Sequence, residues 1–168
     1  MIKAIISVIG PDKPGIIAAV SMALYKLKCN IENVSQTILQ GEFSGIFIIT
    51  LDHPLSPATL QASLRQRLAP LGQHVHVKEL GQEAPDPNFD GSEPFVITTR
   101  GPDRKGLVAH IAGIIARFGV NVTHLQAVFK GGTDPLSNMM IYEVDIPKST
   151  DTKEFGAALR REAAGLGL

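Results

Sequence analysis

The sequence has few of the residues that stabilise secreted or membrane proteins. It contains no tryptophan, two tyrosines and one cysteine among 168 residues. With Cys29 as the single cysteine, no disulfide can form within the chain, which fits a reducing compartment. No apolar run approaches the ~18 residues that a membrane-spanning helix needs, and the N-terminus lacks a signal-peptide pattern. We therefore expect a cytoplasmic protein with an aliphatic core.

An excess of one charge is also lacking, because 16 Lys and Arg balance 16 Asp and Glu. A balanced chain has no general attraction for a phosphate backbone, which argues against direct nucleic-acid binding. The sequence has no nucleophile elbow and no P-loop. His74 and His76 share one side of a predicted strand, but no further ligands follow at metal-site spacing. We expect no metal, no cofactor and no enzymatic activity.

A short pattern occurs twice. Residues 10–15 read GPDKPG and residues 101–106 read GPDRKG, and we call them the first and second signature loops. Each leads through an apolar stretch to an asparagine, Asn30 or Asn121. The separation is constant, since 101 − 10 and 121 − 30 both equal 91. This repetition predicts an internal duplication.

The hydrophobic pattern around the first loop predicts a β-α-β-β-α-β unit, the split βαβ of ferredoxin-like folds. Such a unit has an antiparallel sheet with its helices on one face. The first helix carries the apolar stripe Ile16, Ile17, Val20, Leu24 and Leu27. The predicted strands and helices lie at residues 3–9, 14–28, 30–40, 43–51, 57–71 and 74–80, with a tight turn at residues 41–42.

The second copy follows the same order, so the fold class is α+β with two ferredoxin-like modules. Its early elements match at an offset of 91 and its later ones at 95, because its hairpin loop is longer. At the second offset Leu168 matches Gln73, so we expect the second module to lack its last strand and to be truncated at its C-terminus. Either the protein is shortened there, or another segment completes the second sheet. The predicted domains are residues 1–80 and residues 93–168, joined by a linker at residues 81–92 that is rich in proline, glycine and acidic residues.

Each signature loop ends a strand and begins a helix. The first four N–H groups of a helix have no partner within it, and the helix dipole adds partial positive charge, so a carboxylate is a natural ligand. Gly15 and Gly106 would allow a ligand to approach the backbone. Asp12 and Asp103 could hold an ammonium or cap the helix. The alternative is an ordinary turn without a ligand.

These residues resemble the ACT domain, a small ligand-binding regulatory module. The matching pattern is Gly-Pro-Asp-x-x-Gly followed by a helix and then Asn30-Ile31 or Asn121-Val122. The resemblance implies that ligand lies between the signature loop of one module and the second strand of a neighbouring module. It implies two sets of ligand-binding residues: Asp12, Lys13, Pro14, Gly15, Ile16, Asn30 and Ile31, and Asp103, Arg104, Lys105, Gly106, Leu107, Asn121 and Val122.

Tandem modules of this kind also resemble the glycine cleavage system repressors. That resemblance implies an amino-acid-binding, non-catalytic regulator, a homodimer, which controls transcription in glycine metabolism through a DNA-binding protein partner. One alternative is a ligand-independent interaction or dimerisation module, because residues 43–51 are apolar on both faces of their strand. Another is a detached regulatory fragment of an enzyme such as a formyltetrahydrofolate hydrolase. The effector itself cannot be read from the sequence.

Three isolated residues have simpler interpretations. We expect His110 to lie on the surface of its helix, where the first copy has Ala19. We expect Cys29 to be a small buried hydrophobe rather than a nucleophile. His124 is a weaker candidate for lining a ligand site.

Overall fold

A computed structural model describes residues 2–51, 55–81, 91–129 and 138–168. The chain divides into two compact units, Met1–Pro85 and Asp86–Leu168, which we call the first and second modules. In the described part of the chain, no helix is both long and apolar enough to cross a membrane. The elements are β1 (Ile2–Pro11), α1 (Ile16–Lys26), β2 (Cys29–Leu39), β3 (Glu42–Leu51), α2 (Pro57–Leu68), β4 (His74–Leu80), β5 (Ser92–Gly101), α3 (Leu107–Arg117), β6 (Asn121–Phe129), β7 (Asn138–Pro147) and α4 (Thr152–Leu166).

The first module has a four-stranded antiparallel sheet in the order β2-β3-β1-β4. Side chains alternate between the two faces of β3. Phe43, Phe47 and Ile49 are buried and identify the face that packs on the core. Ile46, on the opposite face, is 46% exposed. The predicted apolar character of both faces of this strand is therefore present, and one face is open in the single chain.

The second module has a three-stranded antiparallel sheet in the order β5-β7-β6. Its separate core includes Ile111, Tyr142, Val144 and Phe155. The predicted ferredoxin-like fold of both modules is confirmed, including a second sheet that lacks a fourth strand among the described residues. The predicted linker and the longer hairpin loop fall largely outside the described residues, so the domain boundaries stay predictions.

Several predicted boundaries were wrong by one to three residues. Helix α1 begins at Ile16 and ends at Lys26, whereas Pro14 lies in the turn before it. The hairpin turn was predicted one residue too late, because Gln40 and Gly41 have φ values of 49° and 81° and form the turn. Two successive left-handed residues suit the twist of a tight hairpin. The predicted helix 57–71 ends as a 3₁₀ turn, Ala69–Leu71.

Helix α2 holds β4 through two side chains as well as through apolar packing. The backbone N–H of Val77 donates to Gln61 Oε1 at 2.8 Å. Arg65 Nε donates to the carbonyl oxygen of Val75 at 3.2 Å. Helix side chains thus satisfy backbone groups of the edge strand, where no further strand follows among the described residues.

Candidate ligand site

Each signature loop delivers the chain to a helix whose N-terminus points outward. Gly15 and Gly106 precede α1 and α3 with φ values of 95° and 92°, a left-handed conformation that favours glycine. The first backbone hydrogen bonds join Ala19 N to Gly15 O and His110 N to Gly106 O, both at 2.9 Å. The N–H groups before them are therefore directed to solvent or to a ligand.

The N-termini of α1 and α3 have no capping side chain and no acid in the first turn among the described residues. The first turns are residues 16–19 and 107–110. Asp12, predicted as a possible cap, instead donates its backbone N–H to Gly41 O at 2.8 Å. The partial positive charge at both termini thus remains available to an anion.

The first glycine of each signature loop has a packing role. A Cβ atom at Gly10 would lie 2.6 Å from the carbonyl oxygen of Gly72. At Gly101 it would lie 2.7 Å from Leu168 Cδ2 and 3.0 Å from Gly167 O. A Cβ at Gly15, in contrast, would meet nothing within 4 Å. The first glycine therefore permits close packing, whereas Gly15 faces open space.

A cavity of about 430 Å³ adjoins the first signature loop. Its polar side chains are Asp12, Lys13 and Gln36, and the aromatic ring of Phe43 forms part of its wall. Its remaining lining residues are Gly15, Ile16, Ile17 and Ala18, at the N-terminus of α1. An anionic group could reach the helix N–H groups here while the rest of a small ligand contacts apolar side chains.

A cavity of about 640 Å³ adjoins the second signature loop. Its polar side chains are Asp103, Arg104 and Asn138, and Asn138 Nδ2 donates to Asp103 Oδ1 at 3.4 Å. Asn138 is only 8% exposed. The other lining residues are Gly106, Leu107, Val108, Ala109, Ala127 and Met140. This site is larger than the first, and its amide is deeply buried.

Each cavity contains one amide side chain, but the two amides come from different strands: Gln36 from β2 and Asn138 from β7. Phe43 pairs with Gly10, and Asn138 pairs with Gly101, so these two side chains are equivalent. By the same register argument Gln36 on β2 is equivalent to Ala127 on β6. Sequence reasoning missed Gln36, Asn138 and Phe43, because it looked for residues that the two copies share.

The asparagines that follow each helix lie far from the loop of their own module. Asn30 pairs with Thr50, which pairs with Lys3, whereas the loop begins next to Pro11. Eight residues of strand correspond to roughly 27 Å. Asn121 likewise lies at the other end of its sheet and lines a separate small cavity of about 70 Å³. A single module therefore does not bring these asparagines to its own loop.

Eight of the fourteen predicted site residues line the loop cavities. Those that line the loop cavities are Asp12, Lys13, Gly15 and Ile16, and Asp103, Arg104, Gly106 and Leu107. Pro14 and Lys105 are exposed beside the cavities, and Ile31 and Val122 pack against the cores of their own modules. A ligand role for any of these residues stays a prediction.

The isolated residues lie outside both loop cavities. His110 is on the surface as expected, and its Nδ1 lies 2.8 Å from Glu162 Oε1. His124 is exposed on β6. Cys29 is partly buried against the first core, and this burial raises the pKa of its thiol. Among the described residues, no group of three metal-ligating side chains occurs.

Known proteins share both the sequence and the fold. A UPF0237 protein of Methanopyrus kandleri is 35% identical over 79 residues, which is 46% of this chain and 88% of that protein. A crystal structure of an unknown protein from Galdieria sulphuraria covers 98% of this chain and 93% of its own, with a TM-score of 0.79 and 21% identity.

The crystal structure of a candidate glycine cleavage system transcriptional repressor covers 98% of this chain and 92% of its own. Its TM-score is 0.66 and its identity 15%. At these identities both structures show a common fold alone. The sequence profile of the ACT domain matches residues 3–78 and again residues 93–168. The chain therefore belongs to the ACT domain family and carries that domain twice.

Proposed function

We propose that this protein is a regulator that binds an amino acid at the two signature loops. ACT domains are regulatory modules that bind amino acids. The observation that carries the proposal is the pair of uncapped helix N-termini, each beside a cavity with an amide side chain. The helix N–H groups would receive the ligand carboxylate, and Asp12 or Asp103 would receive its ammonium.

The finer role is control of transcription in glycine metabolism through a protein partner. Its support is the tandem arrangement, which a candidate glycine cleavage repressor shares at the level of the fold. The balanced charge of the chain favours a protein partner over direct contact with DNA. Asn30 and Asn121 would then contribute to a site only from a neighbouring module, most simply in a homodimer.

Substitutions at the third residue of each helix separate ligand binding from folding. Ala18→Glu and Ala109→Glu place a carboxylate beside the free N–H groups, where it competes with the ligand carboxylate. We expect each variant to lose binding at its own site at least tenfold while its stability changes by less than about 1 kcal/mol, because an acid in the first turn stabilises a helix.

Calorimetric titration with the twenty amino acids, with glycine first, is the measurement. Ala18→Gln and Ala109→Gln are the matched neutral controls, since they add the same bulk without the charge. A ligand at a hundred times its Kd should also raise the free energy of unfolding by about 2.7 kcal/mol. Absence of heat and of any thermal shift with all twenty would contradict the proposal.

A second candidate function is ligand-independent association through the open face of the first sheet. Ile9 and Ile46 are 53% and 46% exposed there, and Ile5 and Ile48, which pair with each other on the same face, are partly buried. An apolar patch of this kind marks an interaction surface. Light scattering and calorimetry together distinguish the two functions. A dimer that forms without ligand and is abolished by Ile46→Lys, in a protein that binds none of the twenty amino acids, would favour this second function.

A further inference from the structure

The two loop cavities share the wall that their helices provide. Ile17 and Val108 hold equivalent positions of α1 and α3 and are 41% and 42% exposed. Ala18 and Ala109 follow them in the two helices and line the same wall. The helix side is therefore nearly the same in both modules, and a difference in ligand choice has to come from the side chains of the sheet.

The sheet side of the first cavity is bulky. Gly45 on β3 pairs with Gln36 on β2 and with Val8 on β1. A Cβ atom at Gly45 would lie 2.8 Å from Cζ of Phe43, so the aromatic ring lies over this glycine. A larger residue at position 45 would displace the ring. The Phe43 ring and the Gln36 side chain form the wall of the cavity here.

The sheet side of the second cavity has the opposite distribution of large and small residues. Met140 takes the position of the glycine and pairs with Ala127 on β6, and Asn138 takes the position of the aromatic ring. All three residues line the cavity. Tyr142 Oη donates to Met140 Sδ at 3.6 Å, a weak hydrogen bond that orients the thioether. A methionine side chain therefore forms the base of this cavity, and its neighbour Ala127 adds no more than a methyl group.

The two sheet walls favour different ligand side chains. The thioether, the methyl group and the apolar residues of α3 contact aliphatic groups well, and a methionine adapts its shape to them. An added methylene in an apolar pocket is worth about tenfold or more in affinity. In the first cavity the Gln36 amide stands at the same place, and an aliphatic side chain would separate it from water. The cavity volumes, about 430 and 640 Å³, follow the same order.

The buried amide of the second cavity positions the polar end of a ligand. Asn138 is 8% exposed, and its Nδ2 donates to Asp103 Oδ1 at 3.4 Å. This hydrogen bond holds the Asp103 carboxylate, the group that would receive the ligand ammonium. The ring of Phe43 cannot donate to Asp12 in this way. A ligand held by its ammonium at Asp103 and by its carboxylate at the N-terminus of α3 would direct its side chain to the base of the cavity.

We propose that the second site selects an α-amino acid with an aliphatic side chain of about the size of leucine, and that the first site selects glycine over leucine. This selection depends on the proposed function, because it takes both cavities to be amino-acid sites. Ala127 and Met140 leave an apolar space at the second site. Gln36 and the Phe43 ring occupy that space at the first site.

The test measures each site of the 168-residue chain by itself. Ala18→Glu blocks the first site, and Ala109→Glu blocks the second. Calorimetric titration of each variant with glycine and with leucine gives the ratio of the two Kd values. We expect leucine to bind about tenfold more tightly than glycine to the Ala18→Glu chain. Glycine should bind several-fold more tightly than leucine to the Ala109→Glu chain.

Exchanging two exposed residues tests the cause of the preference without disturbing a core. Gln36 and Ala127 are both exposed on edge strands. In the Ala18→Glu chain, Ala127→Gln should lower the preference for leucine about tenfold. Ala127→Ser is the matched control, since it adds a polar atom without the length. In the Ala109→Glu chain, Gln36→Ala should shift the preference several-fold toward leucine.

The methyl group of Met140 reports on the position of the ligand. The chain contains four methionines, so ¹³C-methyl labelling of methionine gives one NMR signal for each, and Met140→Leu identifies the signal of Met140. In the Ala18→Glu chain, leucine should shift this signal. Glycine should shift it much less, because only the side chain of leucine reaches the base of the cavity.

Three results would contradict the selection and leave the proposed function in place. The first is an equal leucine-to-glycine ratio at the two sites. The second is a ratio that neither Ala127→Gln nor Gln36→Ala changes. The third is a Met140 signal that leucine does not move although it binds to the Ala18→Glu chain. Absence of binding by all twenty amino acids would overturn the proposed function and the selection together.

Discussion

A polar side chain closes the end of α2 in the first module, whereas an apolar one closes the end of α4 in the second. Gln73 Nε2 donates to the carbonyl oxygens of Pro11 and Leu71 at 2.8 and 3.3 Å. Leu168 takes the same place beside Gly101. Both arrangements need a glycine at the contact. The first glycine of the signature is thus a packing requirement that holds whatever the ligand, and it carries no information about binding.

The same comparison separates the two candidate sites. Their backbones, helix N-termini and aspartates are shared, but the amide comes from β2 in one and from β7 in the other. An amide at a different position would orient a ligand differently. We therefore expect the two sites to differ in ligand preference, and the larger cavity of the second module to accept the larger side chain.

The strongest test of the comparison replaces the first glycine in each module. Gly10→Ala would place a methyl group 2.6 Å from a backbone oxygen, which cannot move without the helix end. We expect a loss of about 3 kcal/mol. Gly101→Ala would meet the end of the flexible Leu168 side chain at 2.7 Å and the Gly167 carbonyl oxygen only at 3.0 Å, so it should cost less, about 1 kcal/mol.

Urea denaturation with hydrogen exchange resolved by module measures both changes. Gly113→Ala, in the middle of α3 with open space around it, is the control for glycine replacement in general. A larger loss at Gly101 than at Gly10 would show that the two helix ends do not pack as described.

Two substitutions at equivalent positions of α2 and α4 should change the stability of their modules in opposite directions. Gln61→Ala removes the acceptor of the Val77 N–H and should destabilise the first module by about 1 kcal/mol. Gly156 is its counterpart, and Gly156→Ala removes a glycine from a helix interior, where its Cβ meets only the end of the Arg160 side chain at 3.4 Å. That change should stabilise the second module by about 0.5–1 kcal/mol. Thermal melts of both variants measure these changes. Melting temperatures that shift in the same direction would contradict the equivalence of Gln61 and Gly156.

The smallest effect concerns Cys29 and its counterpart Val120. Burial raises the pKa of the Cys29 thiol, so less thiolate is present at a given pH. We expect Cys29 to react with a disulfide reagent more slowly than an exposed thiol, and to gain reactivity only at higher pH. Cys29→Val should change stability by less than about 1 kcal/mol, because Val120 fills the same position at 6% exposure.

Sequence periodicity was sufficient for the fold but not for the composition of the sites. The repeated spacing located both loops, because close packing or a left-handed backbone conformation requires glycine at the same positions of each loop. The resemblance placed Gly15 and Asn30 at one ligand, with the strand that carries Asn30 coming from a neighbouring module. The 11-residue helix α1 returns the chain by about 17 Å to the other end of the sheet, which separates them. The spacing between two residues in the sequence does not tell at which end of the sheet each one lies. The order and direction of the strands determine that.

The residues that distinguish the two sites could not be predicted from the sequence repeat. Gln36 and Asn138 have no like residue at the matching position, so a search for shared side chains passes over them. The place of Gln36 in its cavity depends on strand register, which a β-bulge in β2 between Ile31 and Asn33 shifts by one residue. Such a shift exchanges the faces of a strand, and the sequence contains no clear sign of it.

The hydrogen bond from the Asp12 N–H to Gly41 O has a kinetic consequence. It ties the first signature loop to the tight turn between β2 and β3, so the loop is held in place before any ligand arrives. A loop that is already ordered loses little conformational entropy on binding. Its closure therefore does not limit the rate of association. We expect association at this site to be fast and nearly independent of the ligand, with differences in affinity expressed in how quickly each ligand leaves.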